Sequence, residues 1–154
     1  MDDLKLMFNQ LFSRYSGKNR LDWNEIYLII ASIIASRSTC NVVASGAVII
    51  KDNQIVSTGY CGAPCGFEHC CDRGDCWIDH EDVGKCLGVH APVNAIIRAD
   101  RESLIGSTIY IAGYDKTKEC MINAIPCENC MGVIKNAGIK DIITADYVNS
   151  SRPV

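Results

Sequence analysis

The sequence lacks the excess of basic residues that a nucleic-acid-binding protein shows. Of its 154 residues, 15 are Lys or Arg and 18 are Asp or Glu, so the net charge is −3. Without a basic face, neither a nucleic acid backbone nor an anionic membrane would be bound broadly, although a ligand with one phosphate needs only a local site. A zinc module for nucleic acid is therefore disfavoured, and we expect no nucleic acid partner.

Long apolar runs and a secretory signal are also missing. The longest apolar stretch, residues 27–35, is about half of what a membrane-spanning helix requires. The first eight residues, MDDLKLMF, are acidic and lack the basic and then apolar pattern of a secretory signal. We therefore expect a cytoplasmic protein with no membrane partner. The length, with no internal repeat or linker, predicts one domain over residues 1–154.

Cysteine, in contrast, is unusually abundant, at ten residues. In a reducing compartment, dense cysteine indicates bound metal more often than disulfides. All of the cysteines except Cys40 fall in two clusters, within residues 61–86 and 120–130. This clustering predicts at least one zinc site.

Hydrophobic spacing predicts two helices near the start of the chain. Apolar residues recur at helical intervals from Leu4 to Tyr15, which indicates an amphipathic helix in an N-terminal extension over residues 1–20. Asp22, followed three residues later by Glu25, is typical of a helix N-cap with a capping box. The helix that it opens, through residue 35, is apolar nearly all round, so we expect it to be largely buried.

The rest of the chain predicts a hairpin followed by alternating helices and strands. A polar turn at residues 51–53 joins two β-rich runs, and Gly138 lies where a C-cap glycine belongs. A β-α-β alternation after a hairpin implies an α/β fold with a mixed sheet flanked by helices. The predicted elements are strands 42–51 and 54–60, a cysteine-rich loop 61–88, a helix 91–101, a strand 108–112, a helix 127–136 and a strand 141–145.

Two predicted helix starts carry residues that bind metal. His90 begins one helix, and the sequence PCENC, with Cys127 and Cys130, begins the next. The positive end of a helix dipole favours the thiolate form that binds zinc. One imidazole and two thiolates would leave a fourth zinc position open, as in catalytic sites. We therefore expect His90, Cys127 and Cys130 to meet at one sheet edge; the alternative for His90 is an ordinary helix-terminal histidine.

With these motifs, the sequence resembles the zinc-dependent nucleobase deaminases, and the deoxycytidylate (dCMP) deaminases in particular. The resemblance covers nearly the whole chain and implies a cytidine-deaminase-like three-layer fold with a catalytic zinc. It also implies hydrolytic deamination of a cytosine nucleotide, of the dCMP to dUMP type, and a homo-oligomer, either a dimer or a hexamer. The segments that carry it are RSTC (37–40), GAVI (46–49), GYCGAP (59–64), HAPVNAI (90–96), PCENC (126–130) and NAGIK (136–140).

The sequence departs from the family at the residue that carries protons. Where the family has H-A-E, this chain has His90, Ala91 and Pro92. The family's glutamate takes a proton from the attacking water and returns it to the ring nitrogen and the leaving ammonia, which proline cannot do. Proline is tolerated in the first helical turn, so we expect the zinc site to survive, with a displaced His90 as the second outcome to check. Glu128 or Glu119 would rescue the reaction only within hydrogen-bond reach of the water.

Other departures fall where the family contacts its substrate. Cys61 replaces the asparagine of the usual G-Y-N-G, and residues 41–45 lack the arginines that are common there. By resemblance, Cys61, Gly62 and Asn94 would contact the nucleotide. Two hypotheses follow: an impaired dCMP-deaminase-like hydrolase, or a non-catalytic homologue that binds nucleotide or a partner subunit. The tRNA adenosine deaminases offer a precedent for the second, because they pair a catalytic chain with one that lacks the glutamate.

The cysteine-rich loop resembles that of bacterial and archaeal dCMP deaminases with an extra structural zinc. The resemblance implies a closed site that would order a loop of roughly 25 residues. Cys71, His69 or His80 could replace one of the ligands, and the alternative is loop cysteines without metal. Cys61, Cys65 and Cys120 are expected to be free thiols. The ligand set that the resemblance implies is Cys40, Cys70, Cys76 and Cys86.

Overall fold

The computed structural model of the chain describes residues 1–14, 20–74, 76, 86–146 and 148–150. None of the described helices has the length and apolarity that a bilayer crossing requires. The described elements, in chain order, are α1 (Asp2–Arg14), α2 (Trp23–Ala35), β1 (Val43–Lys51), β2 (Gln54–Tyr60), α3 (Cys70–Arg73), α4 (Ala91–Ile97), α5 (Arg101–Leu104), β3 (Thr108–Asp115), β4 (Cys120–Ile122), α6 (Glu128–Asn136), β5 (Asp141–Ile143) and β6 (Val148–Ser150).

The strands form one mixed sheet, as the alternation of elements predicts. The strand order is β2-β1-β3-β5-β6, and β4 pairs with β3. β1 is antiparallel to both β2 and β3, whereas β3 and β5 are parallel. Since β2 and β3 run in the same direction, their carboxyl ends lie at the same edge of the sheet. Two later helices, α4 and α6, begin near each other at this edge, since His90 before α4 contacts Cys127 and Cys130 of α6.

The sheet is covered on both faces, which gives three layers. Along β1 the side chains alternate, so Ala47 and Ile49 pack with buried residues of α4 and α6. Val48 and Ile50 face the other way and pack with Tyr27 of α2. A strand buried on both faces explains why β1 is an almost continuous apolar run. The predicted α/β three-layer fold is confirmed.

Several local predictions are also confirmed. Asp22 caps α2, and it exchanges hydrogen bonds of 2.9 Å with Glu25 in a complete capping box. The turn between β1 and β2 places Asp52 and Asn53 at φ of 52° and 60°, a conformation that these two residue types tolerate. Gly138 follows α6 with φ of 84°, as a C-cap glycine does.

Other boundaries differ from the prediction. The single helix predicted over residues 91–101 is two helices, because Asp100 leaves the helical conformation and caps α5 through the backbone N–H of Ser103 at 3.0 Å. β3 runs on to Asp115 and pairs with β4, so the segment after residue 113 forms an unpredicted hairpin. β6 was likewise not predicted. The N-terminal helix is α1, although the residues predicted to end it lie outside the described ranges.

The two N-terminal helices are more exposed than we expected. In α2 one face is buried on the sheet, but Trp23 and Ile33 on other faces are 57% and 52% exposed. α1 leaves its apolar side chains largely in solvent, with Phe12 68% exposed. The prediction that α2 is largely buried therefore holds for the face against the sheet, where Tyr27, Ala31 and Ala35 are buried, and fails at Trp23 and Ile33.

Candidate metal centre and adjoining cavity

His90 and Cys127 occupy equivalent positions at the two helix starts. His90 is the N-cap of α4 and Cys127 is the N-cap of α6, both with extended backbone. Neither side chain caps its own helix, so the imidazole and the thiol face the space between the helices. One turn into α6, Cys130 is buried against the same space.

These three side chains form a compact group. The Nδ1 atom of His90 lies 3.3 Å from the sulfur of Cys130 and 3.5 Å from that of Cys127. A tetrahedral zinc at its usual bond lengths holds a nitrogen and a sulfur about 3.6 Å apart. The donor set and its spacing therefore fit zinc. Among the described residues, no other three His, Cys, Asp or Glu side chains have their ligand atoms within 4.8 Å of one another.

The buried thiol of this group is protonated when no cation is near it. Burial, together with the hydrogen bond and the charge of Cys127, raises the pKa of Cys130 to about 12. A divalent cation between the three side chains reverses this preference, because the thiolate is the ligand and its proton is released on binding. Cys130 is thus poorly suited to carry a negative charge unless a cation lies beside it.

Pro92 leaves the start of α4 intact. It is the second residue of the helix and is buried. The backbone N–H of Asn94 still donates to the carbonyl oxygen of His90 at 3.1 Å, so the first turn is closed. The displaced His90 that proline could have caused is not seen, because the imidazole contacts both thiols.

A cavity of about 380 Å³ opens beside the three side chains and is lined partly by them and by Pro92. This volume is in the range of small-molecule sites. The described residues that line it include no Asp, Glu, Lys or Arg, and neither Glu119 nor Glu128 is among them. Its wall is instead apolar and rich in thiols.

Only two of the three residues predicted to contact substrate line the cavity. Cys61 and Gly62 line the cavity, but Asn94 does not. The side-chain amide of Asn94 donates to the carbonyl oxygen of Tyr60 at 2.8 Å and to that of Val89 at 3.4 Å. In this structure Asn94 thus ties α4 to the end of β2.

Sequence reasoning missed one wall of the cavity. Residues 122–125, at the end of β4 and just beyond it, all line the space. Asn123 is fixed there, because its side-chain oxygen accepts a 2.7 Å hydrogen bond from the hydroxyl of Thr144. A strand of three residues carries no periodic signal that would have shown where it packs.

The loop cysteines assigned to a second zinc do not form a closed group. Cys40, Cys70 and Cys86 line the cavity, whereas Cys76 is buried away from it. No three of these four sulfurs, all on described residues, lie within 4.8 Å of one another. Of the alternative ligands, Cys71 is exposed, and Nδ1 of His69 is buried with no hydrogen-bond partner among the described residues. His80 lies outside the described residues. The second zinc site stays a prediction.

Cys40 lies beside Cys61, because the backbone N–H of Thr39 donates to the carbonyl oxygen of Cys61 at 3.2 Å and both cysteines line the cavity. The neighbouring Cys61 thiol lowers the pKa of Cys40, whereas Cys40 and burial raise the pKa of Cys61. The sulfur of Cys61 also donates to the carbonyl oxygen of Val43 at 3.1 Å and lies 2.9 Å from the hydroxyl of Ser38. No spacing or motif in the sequence predicts that these two cysteines lie side by side.

Comparison with known proteins agrees with this arrangement. Residues 21–146 match the model of a family described as the cytidine and deoxycytidylate deaminase zinc-binding region. The chain is 37% identical over 133 residues to deoxycytidylate deaminase of Mycobacterium phage D29, which covers 81% of this chain and 95% of that protein. It is 31% identical over 129 residues to ComE operon protein 2 of Bacillus subtilis (strain 168), covering 82% of this chain and 61% of that protein.

Solved structures show the same fold. The dCMP deaminase from the cyanophage S-TIM5, solved in complex with dCMP and dUMP, superposes with a TM-score of 0.62 at 23% identity. The superposition covers 82% of this chain and 83% of that chain.

Proposed function

Because the chain belongs to the cytidine and deoxycytidylate deaminase family with its zinc-binding region, we propose that it binds zinc at His90, Cys127 and Cys130 and takes a cytosine nucleotide of the dCMP type into the adjoining cavity. The observation that carries the proposal is the meeting of one imidazole and two thiols at 3.3 and 3.5 Å beside that cavity. Zinc, when bound, supplies the polarisation of a water molecule for attack on the base.

The residues that line the cavity are suited to bind the ligand and to exclude water. They are poorly suited to transfer protons. Apolar side chains such as Val43, Ile111 and Ile125 line the cavity and would surround the base. Hydrolytic deamination also needs a group that carries protons from water to the leaving ammonia. Pro92 occupies the family position of that group. We therefore propose that turnover is slower than in family members with the glutamate by a factor of at least about 10² to 10⁴, the usual effect of losing a general acid/base.

A second candidate is a non-catalytic homologue that binds nucleotide or a partner subunit. It is favoured by a specific observation, since no Asp or Glu is among the described residues that line the cavity. Neither Glu119 nor Glu128 is placed to replace the missing glutamate there. The first candidate predicts slow release of ammonia and the second predicts none, so a direct assay separates them.

The test is ammonia release from dCMP and from CMP by the zinc-loaded protein, beside Pro92→Glu and Pro92→Gln. Glutamine matches glutamate in size but cannot carry the proton, so it controls for the change in shape. We expect little release by the unmodified chain, partial recovery in Pro92→Glu and none in Pro92→Gln. Recovery should be incomplete, because Cys61 still replaces the family's asparagine. Family-level activity in the unmodified chain would contradict the proposed impairment.

The number of zinc ions is part of the same proposal. We propose a second, structural ion held by loop cysteines, with Cys40, Cys70, Cys76 and Cys86 as the ligand set. Metal analysis should then give about two zinc per chain, and Cys127→Ser and Cys76→Ser should each lose about one. A single ion that is lost in Cys127→Ser and kept in Cys76→Ser would remove the second site and leave the first.

We also propose that the chain is a homo-oligomer, a dimer or a hexamer, built from one domain over residues 1–154 with an N-terminal extension. An isolated helix as short as α1 is marginal in water, and its exposed side chains Leu4, Met7, Phe8 and Phe12 would be covered by a second copy. Light scattering at micromolar concentration tests this, and a clean monomer would contradict it. We also propose a cytoplasmic location, because the cysteines that would bind zinc stay reduced there.

A further inference from the structure

The ligand proposed for the cavity carries a phosphate, but the described wall of the cavity carries no cation. None of the described residues that line the cavity is a Lys or an Arg, and apolar side chains such as Val43 and Ile125 surround the space. A phosphate that is buried among such side chains without a positive partner loses its hydration and gains nothing in return. The phosphate would therefore lie at the rim of the cavity, beside solvent and a positive side chain.

A lysine that contacts this rim is Lys116, in the turn between β3 and β4. Its backbone N–H donates to the carbonyl oxygen of Val42 at 2.9 Å, which holds the turn against the residue before β1. Its ammonium group donates to the carbonyl oxygen of Cys40 at 2.6 Å and to that of Ser38 at 3.3 Å. Cys40 and Val42 both line the cavity, so Lys116 lies beside the cavity wall. The bond uses only the carbonyl oxygen of Cys40 and leaves its thiol to the second zinc site that we propose.

The ammonium group of Lys116 has room for a further partner. The residue is exposed, and the two carbonyl oxygens account for two of the three protons that an ammonium group can donate. Among the residues that the structure describes, no carboxylate pairs with it. Lys118 differs in this respect, because its ammonium group lies 3.4 Å from the carboxylate of Asp115. Lys116 is thus a positioned cation without a counter-ion in the described chain.

We propose that Lys116 binds the phosphate of the nucleotide at the rim of the cavity and thereby selects the nucleotide over the nucleoside. The third proton of its ammonium group would donate to a phosphate oxygen in a charge-assisted hydrogen bond, which lysine commonly makes. The base would lie toward His90 and the phosphate toward Cys40, since both residues line the same cavity. The inference rests on the proposed nucleotide function, but it requires no turnover and does not depend on the residue at position 92.

The experiment compares dCMP with deoxycytidine, which lacks the phosphate, as ligands of the zinc-loaded chain. Calorimetry gives the dissociation constants for the unmodified protein and for Lys116→Gln, whose amide can still donate to the two carbonyl oxygens. We expect dCMP to bind Lys116→Gln about tenfold more weakly, between the usual effects of losing an exposed ion pair and a buried charged hydrogen bond. The affinity for deoxycytidine should not change. The matched control is Lys118→Gln, which should change neither affinity.

A measurement on the unmodified chain does not depend on how a variant folds. Bound dCMP should slow the acetylation of Lys116 by an amine-reactive reagent several-fold, whereas bound deoxycytidine should not. Lys118 is the internal control in the same mass-spectrometric map, and neither ligand should protect it.

Three results would overturn the proposal for Lys116. They are equal affinities of the unmodified chain for dCMP and deoxycytidine, equal weakening of both ligands in Lys116→Gln, and acetylation of Lys116 that dCMP does not slow. In each case binding of dCMP by the unmodified chain would leave the proposed nucleotide function in place. Failure of the unmodified chain to bind either ligand would instead remove the nucleotide function, and this inference with it.

Discussion

The contact between β2 and α4 offers a sharp test of how the fold positions the candidate metal centre. Gly59 of β2 packs directly on the first turns of α4, and a methyl group there would overlap the backbone oxygen of Ala91 and the backbone nitrogen of Ala95. It would also lie 2.9 Å from the Cα of Ala95. The helix cannot give way locally, because the hydroxyl of Ser57 also holds the carbonyl oxygen of Ala95 at 2.7 Å. Gly59→Ala must therefore push the start of α4 away from the sheet.

The size of the effect follows from these contacts. Carbon atoms pack at about 3.5 to 4.0 Å, so the helix must move by roughly 1 Å. Overpacking of this kind costs about 1 to 3 kcal/mol, and we expect the upper end because the atoms that clash are backbone. For a chain of this size that is a fall in Tm of roughly 6 to 12 °C. The displaced turn begins at His90, while a metal site tolerates ligand shifts of only about 0.2 Å. Zinc affinity should fall by at least about tenfold, or 1.4 kcal/mol.

Gly46→Ala is the matched control. A methyl group on Gly46 would overlap the backbone of Ala31 and Ala35 in α2 and lie 3.0 Å from the Cα of Ala35, so the clash is of the same kind. α2 carries none of the three candidate ligands of this centre. Both variants should lose thermal stability, measured by calorimetry, but only Gly59→Ala should lose zinc affinity in competition with a chelating dye at a temperature where both are folded. Equal zinc affinities in the two variants would refute the idea that this contact positions His90.

Two further predictions concern stability away from the cavity. The carboxylate of Asp115 accepts hydrogen bonds from the hydroxyl and backbone N–H of Thr117 and from the N–H of Lys118, and these bonds lower its pKa to about 2. The stability that this carboxylate contributes is therefore present above its unfolded pKa of about 4 and is lost as the pH falls toward 2. Denaturant melts should show a gap between the unmodified chain and Asp115→Asn that is constant above about pH 5 and narrows below about pH 4; a gap that does not change with pH would contradict this. Gly132 lies inside α6 with open space around its Cα, so Gly132→Ala should stabilise the chain by about 0.5 to 1 kcal/mol. The same change at Gly138, where φ is 84°, should destabilise it by about 1 to 2 kcal/mol, and a shift of the same sign in both variants would count against this account.

The parts of the fold that could be predicted are those with local signals. The capping box of Asp22 and the glycine at residue 138 each act within a few residues, and β1 is apolar because it is buried on both faces. The break before α5 had a local signal as well, since Asp100 precedes Ser103 by three residues in the manner of an N-cap. β4 had none, because its three residues are ordered by pairing with β3 rather than by their own pattern.

The candidate site, too, has parts that could be predicted from the sequence and parts that could not. His90, Cys127 and Cys130 could be named in advance, because a histidine and a CxxC at two helix starts follow strands that end at one sheet edge. The wall formed by residues 122–125 depends on the β3–β4 hairpin, and the hydrogen bond from Thr39 to Cys61 depends on how the end of α2 meets the end of β2. Such contacts between segments distant in sequence leave no trace in residue spacing.

The position of Pro92 explains how metal binding and chemistry can be separated in one site. The first N–H groups of a helix have no partner within the helix, so a proline there removes no hydrogen bond and its fixed φ already suits the helix. The candidate zinc ligands come from the two N-cap positions and from Cys130, and none of them needs the side chain at position 92. A glutamate can therefore be lost from α4 without disturbing the group that would hold the ion. Similarity to deaminases in fold and in candidate metal ligands is therefore stronger grounds for proposing metal binding than for proposing turnover. We expect the residue at position 92 to decide whether the substrate is turned over.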